Sequence, residues 1–355
     1  MEQEKKLYPF RFCTLQDDWN WGSETFKLAD LGYRDSLIRE GWLAGNSIGE
    51  VMDMYVDRVV GEFAFDRWGR QFPICVRQFS CKGRMPLRVN PDDTVAVDRY
   101  DFLGKEKLWY IVRAGKDAKV HLGFRRDTDA SELLGRCEDG TIADILNTVA
   151  PHAGQYFHIA PGTVHGAEGE IEIMEIAESS PLDFCLYSWG QEVSPEEFDP
   201  ELNIVEALDF ITYTAWSHEE GERWDGLLQK LMEKPQLAVS RLKLTDAVKT
   251  GSTEFDSFIL YTCVKGAASV QMDVFGQTAR FPFVTGDTIL IPAENPEFAL
   301  VPDAKDTVLL ETTVPQVAEA DSYINPAAAP ALEGEDYSTD DEEEDEYDLA
   351  PRFSN

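Results

Sequence analysis

FPICVRQFSCKGRMPLRVNPDDTVAVDRYDFLGKEKLW, residues 72–109, carries the alternation that sets the fold. Its first part predicts two strands around a turn, and a further strand covers 105–113. Successive side chains of a strand point to opposite faces. Pro86, Arg88 and Asn90 therefore share one face, and Lys105, Lys107 and Trp109 share one face of the later strand. Alternate residues projecting inwards are how an all-β barrel lines its interior. These side chains are expected to meet whatever the protein holds.

Upstream, the Trp- and Phe-containing residues 8–30 predict irregular strands. Ser47-Ile48-Gly49-Glu50 is a capping box. It opens a helix with Ile48, Val51, Met52, Tyr55, Val56, Val59 and Val60 on one stripe, stopped by Gly61. Pro91-Asp92-Asp93 reads as a turn. Downstream, a short strand is expected over His121–Phe124, and Thr141-x-x-Asp144 predicts a capped helix carrying Ile142, Ile145 and Leu146. Gly154 to His165 reads as a strand, a Pro161-Gly162 turn and the start of a strand, continued by alternation over 170–176 and by Phe184–Trp189. Ser194-Pro195 marks a helix start. Residues 203–216 and 222–234 show helical spacing, the second through Trp224, Leu227, Leu228, Leu231 and Met232.

Residues 237–314 return to short strands and repeat the first half in outline. Ile259–Lys265 ends at Gly266, and Gly286 to Pro292 has nearly the spacing of Gly154 to Pro161. Glu297 then stands where the first half has His165, so no metal is expected in the second half. Residues 333–348 hold eleven acidic side chains and no basic one, a composition that predicts disorder. The expected organisation is a first barrel with N-terminal elements and helices over 1–195, a helical segment over 196–236, a second barrel over 237–316 and an acidic tail over 317–355.

The formal net charge is −34, and subtracting the eleven charges of the acidic run still leaves −23. Nucleic-acid and anionic-membrane partners are therefore not expected. The first residues contain no apolar leader pattern, and no run of about eighteen apolar residues follows, which predicts a cytoplasmic protein. Cysteines 13, 75, 81, 137, 185 and 263 form no CxxC pair, so reduced thiols are expected rather than a disulfide scaffold or zinc framework.

With Gly154-x6-Pro161-Gly162-x2-His165 in place, the chain resembles the cupins, and in particular the class I mannose-6-phosphate isomerases. The resemblance runs through Phe72–Pro91, Gly104-Lys105, Trp109-Tyr110 and Gly162–His165. It continues through Glu175-Ile176, Leu186-Tyr187-x-Trp189, the Asn203–Tyr213 segment and Gly286–Pro292. It implies an all-β tandem cupin, two jelly-roll β-barrels with attached helices. The family's activity, zinc-dependent interconversion of mannose 6-phosphate and fructose 6-phosphate, needs a metal bound by Gln, His, Glu and His, because the ion stabilises charge on the enediolate oxygens.

On those positions this chain carries Arg88, Asn90, Lys107 and His165, so His165 alone retains a metal-ligating side chain. The family's Ser is Pro86, and Cys185, Ser188 and Gln191 replace an Arg, an Asp and an Arg. Arg77, Lys105 and Pro91-Asp92-Asp93 are retained. Glu106 cannot stand in for a ligand at 107, because a strand neighbour points to the other face. Arg77, Arg88, Asn90, Lys105, Lys107 and His165 are thus the expected pocket residues. Arg88 and Lys107 are expected either to bind an anion such as a sugar phosphate or to pair with Glu172, Glu175 or Glu178 in a filled barrel. His165 is a relic ligand or a structural histidine. The expected protein is a diverged family member without normal isomerase activity and without a cofactor. Its alternatives are a working isomerase with a rearranged zinc site, and a non-catalytic subunit acting through its surface and an acidic tail that docks a protein partner.

Overall fold

The computed structural model describes residues 5–191, 203–217, 226–251, 257–274 and 276–315. The acidic tail, the helix start at Ser194-Pro195 and Trp224 lie outside the described residues. The chain begins with β1 (Phe10–Arg11), β2 (Leu15–Trp19) and β3 (Gly22–Leu28), then helices α1 (Ile48–Val60) and α2 (Glu62–Trp68). Strands β4 (Ile74–Cys81) and β5 (Leu87–Val89) precede α3 (Asp93–Tyr100), β6 (Lys107–Ala114), β7 (Lys119–Phe124) and α4 (Ala130–Glu138). Next come β8 (Leu146–Val149), β9 (Tyr156–Ile159), β10 (His165–Glu168), β11 (Ile171–Glu178), β12 (Phe184–Tyr187) and the one-turn α5 (Ile204–Ala207). The remainder is all strand: β13 (Leu228–Glu233), β14 (Ala238–Leu244), β15 (Val248–Gly251), β16 (Ile259–Lys265), β17 (Ala267–Val274), β18 (Gln277–Val284), β19 (Thr288–Ile291), β20 (Glu297–Pro302) and β21 (Thr307–Thr313).

These strands form two antiparallel two-sheet units, the expected all-β tandem arrangement. In the first, the sheet β2-β3-β4-β11-β6-β9 faces β12-β5-β10-β7-β8. Phe79, Trp109 and Ile173 from one sheet pack with Val120, Leu122 and Ala167 from the other. In the second, β1-β19-β16-β21-β14-β13 faces β15-β20-β17-β18 across Tyr261, Val270, Phe283 and Leu300. A third cluster joins the units, with Phe10, Val59, Leu108, Met174, Leu260, Leu290 and Leu310 in contact through α1.

Local signals place α1 as expected. Ser47 accepts from the Glu50 N–H while the Glu50 side chain accepts from the Ser47 N–H, and Gly61 ends the helix at φ 82°, where a Cβ would be strained. No helix among the described residues is long and apolar enough to cross a membrane. All six cysteines are free.

Three expectations are corrected. Within the predicted helix at 222–234, Leu228–Glu233 is strand β13, hydrogen-bonded to β14. A register shift between Lys230 and Met232 buries both Leu231 and Met232, so a bulged strand reproduces the adjacent apolar pairs that helical spacing suggests. In the 203–216 segment only Ile204–Ala207 is helical, so the described residues of the expected helical segment over 196–236 are mostly not helix. Thr141-x-x-Asp144 begins a single 3₁₀ turn, Ile142–Asp144, because Leu146 leaves to pair as β8 with β7. The divided-barrel expectation also changes at the start of the chain. β1 does not stay with the first unit but pairs with β19, Phe10 opposite Leu290.

Asp30, at the end of β3 and 8% exposed, accepts the Phe72 N–H at 2.7 Å. Burial pushes its pKa up to about 6, opposed by that hydrogen bond and aided by Asp35 and Asp53. The folded chain thus holds this proton more tightly than the unfolded chain. Stability from this group is complete below the ordinary value of 3.8 and is lost as pH rises through about 6. Asp30→Asn should flatten the stability profile between pH 4 and 7, gaining on the parent by up to roughly 3 kcal/mol at pH 7. Melting temperatures measured across that range check this; parallel profiles would contradict it.

Candidate functional site

Register brings the expected side chains together. On β4 and β11, Arg77 lies opposite Glu175, and Glu175 lies opposite Trp109 of β6. On the facing sheet, Arg88 of β5 lies opposite His165 of β10. Arg77, Arg88, Asn90, Lys105, Lys107 and His165 are each no more than 3% exposed. Five of them are joined by polar contacts, and Arg88 adds its charge to the same group.

The centre is an ion network. Arg77 donates to Glu175 Oε1 and Glu24 Oε1, both at 2.7 Å, and to Asp183 Oδ2 at 3.1 Å. Lys105 Nζ donates to Asp183 Oδ2 at 2.8 Å. Lys107 Nζ lies 3.4 Å from Asp183 Oδ1, 3.5 Å from Glu175 Oε2 and 3.3 Å from His165 Nε2. Asn90 Nδ2 donates to Asp183 Oδ1 at 2.6 Å, and Trp109 Nε1 donates to Glu175 Oε2 at 2.8 Å. Asn90 thus orients Lys107 through Asp183 rather than directly.

These contacts fix the protonation states. His165 Nδ1 is 2.9 Å from the Thr163 carbonyl, so Nδ1 carries the proton and Nε2 accepts from the Lys107 ammonium. Burial, then the Lys107 charge, pushes the His165 pKa down to about 3. Burial opposes ionisation of Asp183, but Lys105, Lys107, Arg77 and Arg88 hold its carboxyl well below the usual range. Glu175 is held low against burial by Arg77, Lys107 and Lys105. Burial lowers Lys105 to about 8, with Asp183 opposing the shift.

A zinc ion does not fit this donor set. Of the four positions that the resemblance aligns with metal ligands, three carry Arg88, Asn90 and Lys107, and the His165 lone pair is turned onto an ammonium. Among the described residues no group of three or more His, Cys, Asp and Glu side chains could hold a metal. Glu106 faces outwards, paired with His158. Cys185 lies opposite Arg88 in the strand register, Ser188 bonds to the Gln191 carbonyl, and Gln191 bonds to the Arg84 carbonyl. In the second unit Glu297, at the head of β20, is exposed.

Lys107 meets Glu175, one of the three acids named from sequence. Glu172, three residues from Glu175 on β11, points to the other face of the sheet and meets the exposed Arg113. Glu178 accepts the Glu106 N–H at 2.9 Å on the other side of the sheet. Two residues were missed. Glu24 sits on the β3 hairpin, and Asp183 sits in the irregular Ser179–Asp183 connection, where no periodicity marks an inward side chain.

Asp183 touches three cations, so removing it leaves buried positive charge uncompensated. Asp183→Asn should cost about 3–5 kcal/mol at pH 7. Because the folded pKa is depressed, the parent loses this advantage as pH falls below the ordinary value of 3.8, and the two stabilities should converge there. Denaturant unfolding at both pH values checks the sign; a cost independent of pH would count against it.

No protein-family model matches the chain. It is similar to mannose-6-phosphate isomerase ManA of Bacillus subtilis, 24% identical over 317 residues that make up 82% of this chain and 95% of that protein. Mannose-6-phosphate isomerase of Streptococcus mutans is 21% identical over 228 residues, 62% of this chain and 68% of that one. The crystal structure of the B. subtilis mannose 6-phosphate isomerase superimposes with a TM-score of 0.73 at 18% identity, covering 87% of this chain and 100% of that one. A mutant phosphomannose isomerase from Salmonella typhimurium gives a TM-score of 0.67 at 12% identity, covering 87% and 100%. Sequence similarity along most of both chains, joined to the shared tandem fold, agrees with the expected resemblance to the mannose-6-phosphate isomerases.

Proposed function

We propose that the chain is a diverged, cytoplasmic member of this family that does not carry out normal zinc-dependent isomerisation and instead serves carbohydrate metabolism as a binding or regulatory protein. The Lys107 ammonium carries this reading, since it stands among His165, Glu175 and Asp183 at 3.3–3.5 Å. An ammonium supplies positive charge and three donors, but it has no empty orbital with which to polarise a sugar carbonyl. His165, held neutral and engaged at both nitrogens, is poorly placed to move a proton between sugar carbons. No metal is required on this reading, and neither nucleic acid nor membrane is a partner.

The ligand class that suits the site is a sugar phosphate or similar anion. Arg77, Arg88, Lys105 and Lys107 gather around the carboxylates of Glu24, Glu175 and Asp183, a concentration of positive charge inside an acidic chain. Asp183 is the most open of the ion-paired carboxylates, its side chain 11% exposed against 5% for Glu24 and 1% for Glu175. An anion would approach there, competing with Asp183 for Lys105.

The deciding assay uses the unmodified full chain, stripped of metal and tested for mannose 6-phosphate isomerisation with and without added zinc. Turnover is expected to be absent or lower by several orders of magnitude than in a zinc isomerase, and unchanged by zinc. Robust zinc-dependent turnover would instead make the chain a working isomerase with a rearranged site. Replacing Arg88 by Gln, Asn90 by His and Lys107 by Glu together should create zinc affinity, measurable by metal analysis after dialysis. Turnover need not follow, because Cys185 and Gln191 remain.

A further inference from the structure

A cleft of about 1310 Å³ lies outside the ion network and shares none of its residues. Its walls are the first turn of α3, the Pro161-Gly162 turn, residues 209–212 and the Pro235-Gln236 turn between β13 and β14. The space exceeds the roughly 300–1,000 Å³ of ordinary small-molecule sites, so it is roomy enough for a ligand with two separated polar ends.

Arg67 of α2 reaches this cleft while only 5% exposed. Its one contact of note is the Trp68 ring, 4.8 Å from the guanidinium carbon. Among the described residues nothing makes a hydrogen bond or ion pair with it, and its Nε is buried without a partner. Buried arginine is almost never left without an anion. Glu178, 2% exposed, lines the same cleft with Oε1 unpartnered among the described residues and Oε2 on the Glu106 N–H. Burial, reinforced by Asp93 and Glu106, pushes the Glu178 pKa well above the usual carboxylate range, with the Arg67 charge opposing the shift.

The surrounding carboxylates narrow the chemistry. Asp92 caps α3 through the Val95 N–H, Asp93 accepts the Gly104 N–H, and Asp209 is paired with Arg99. Asp98 is exposed on the same wall. A purely anionic ligand would meet this acidic rim, and no three ligating side chains among the described residues come together for a metal.

We propose that the cleft is a second ligand site, for a small zwitterion whose phosphate or carboxylate is held by Arg67 and whose protonated amine faces Asp98. The site is independent of the Lys107 network, so its test stands whether or not the isomerase assay is negative.

Titration calorimetry on the full chain tests it, with O-phosphoethanolamine and 4-aminobutyrate as probes and inorganic phosphate and ethanolamine as their halves. Saturable binding of at least one zwitterion is expected, at least about tenfold tighter than either half, or about 1.4 kcal/mol. The two probes distinguish a phosphate from a carboxylate end. Arg67→Gln should weaken binding by about tenfold or more. Asp98→Lys, on the exposed wall, should do the same to the zwitterion while leaving phosphate binding no weaker, and it decides the matter if Arg67→Gln does not fold. Absence of saturable heat from both zwitterions at millimolar concentration would overturn the proposal. Equal affinity for phosphate alone, or an unchanged affinity in Asp98→Lys, would overturn it as well.

Discussion

Two carboxylates between the sheets of the first unit hold three cations, and the geometry of the first half follows from keeping those charges together. Glu175 can serve Arg77, Lys107 and Trp109 only because β11 lies between β4 and β6 in the observed register. A one-residue slip of β11 would turn Glu175 outwards and place Met174 or Ile176 among the charges. Asp183 has no strand to hold it. It is positioned by the connection leaving β11, which Ser180 fastens to the Leu103 carbonyl and Asn90 to the Leu182 carbonyl.

The network also bears on what a barrel of this kind asks of its centre. His165, Glu175 and Asp183 all turn electron-rich atoms towards one point, and such a point is stable only when something positive stands in it. A metal and an ammonium both meet that demand electrostatically, but they differ in chemistry. The ion accepts a lone pair from substrate; the ammonium gives hydrogen bonds and travels with the polypeptide. Either one satisfies the electrostatics of the fold, and only the chemistry differs.

Legibility in the sequence followed the range of the interactions. The box at Ser47–Glu50 and the stop at Gly61 are decided within a few residues, and α1 is where they place it. Pro91-Asp92-Asp93 read as a turn, and its chemistry was right in kind, since Asp92 caps α3, but the helix behind it gave too weak an apolar stripe to be recognised. Leu231 and Met232 misled because burial of consecutive residues has two causes, a helical face or a strand bulge, and only the partner β14 selects between them. For the site, alternation placed Lys105, Lys107, Arg88 and Asn90 inside, and the motif resemblance brought His165 to them. Asp183 was out of reach of both, because an irregular connection has no period and its side chain is aimed by bonds to residues 77 to 107.

The short strand at the beginning of the chain ties the molecule in a different way. Phe10 and Arg11 complete the sheet of the second unit beside Leu290 and Ile289, while Asn295 reaches back to the Leu7 carbonyl at 3.2 Å and Arg58 holds Glu294 at 2.7 Å. During synthesis these first residues leave the ribosome long before the strand that receives them exists. They must wait, or make transient contacts, while most of the first unit closes behind them. The closing contact spans some 280 residues of sequence, the kind of distant pairing that makes folding slow and late. The second unit is thus finished with material from the far end of the sequence, so a second unit cut free of residues 10 and 11 would lose the edge strand of its larger sheet.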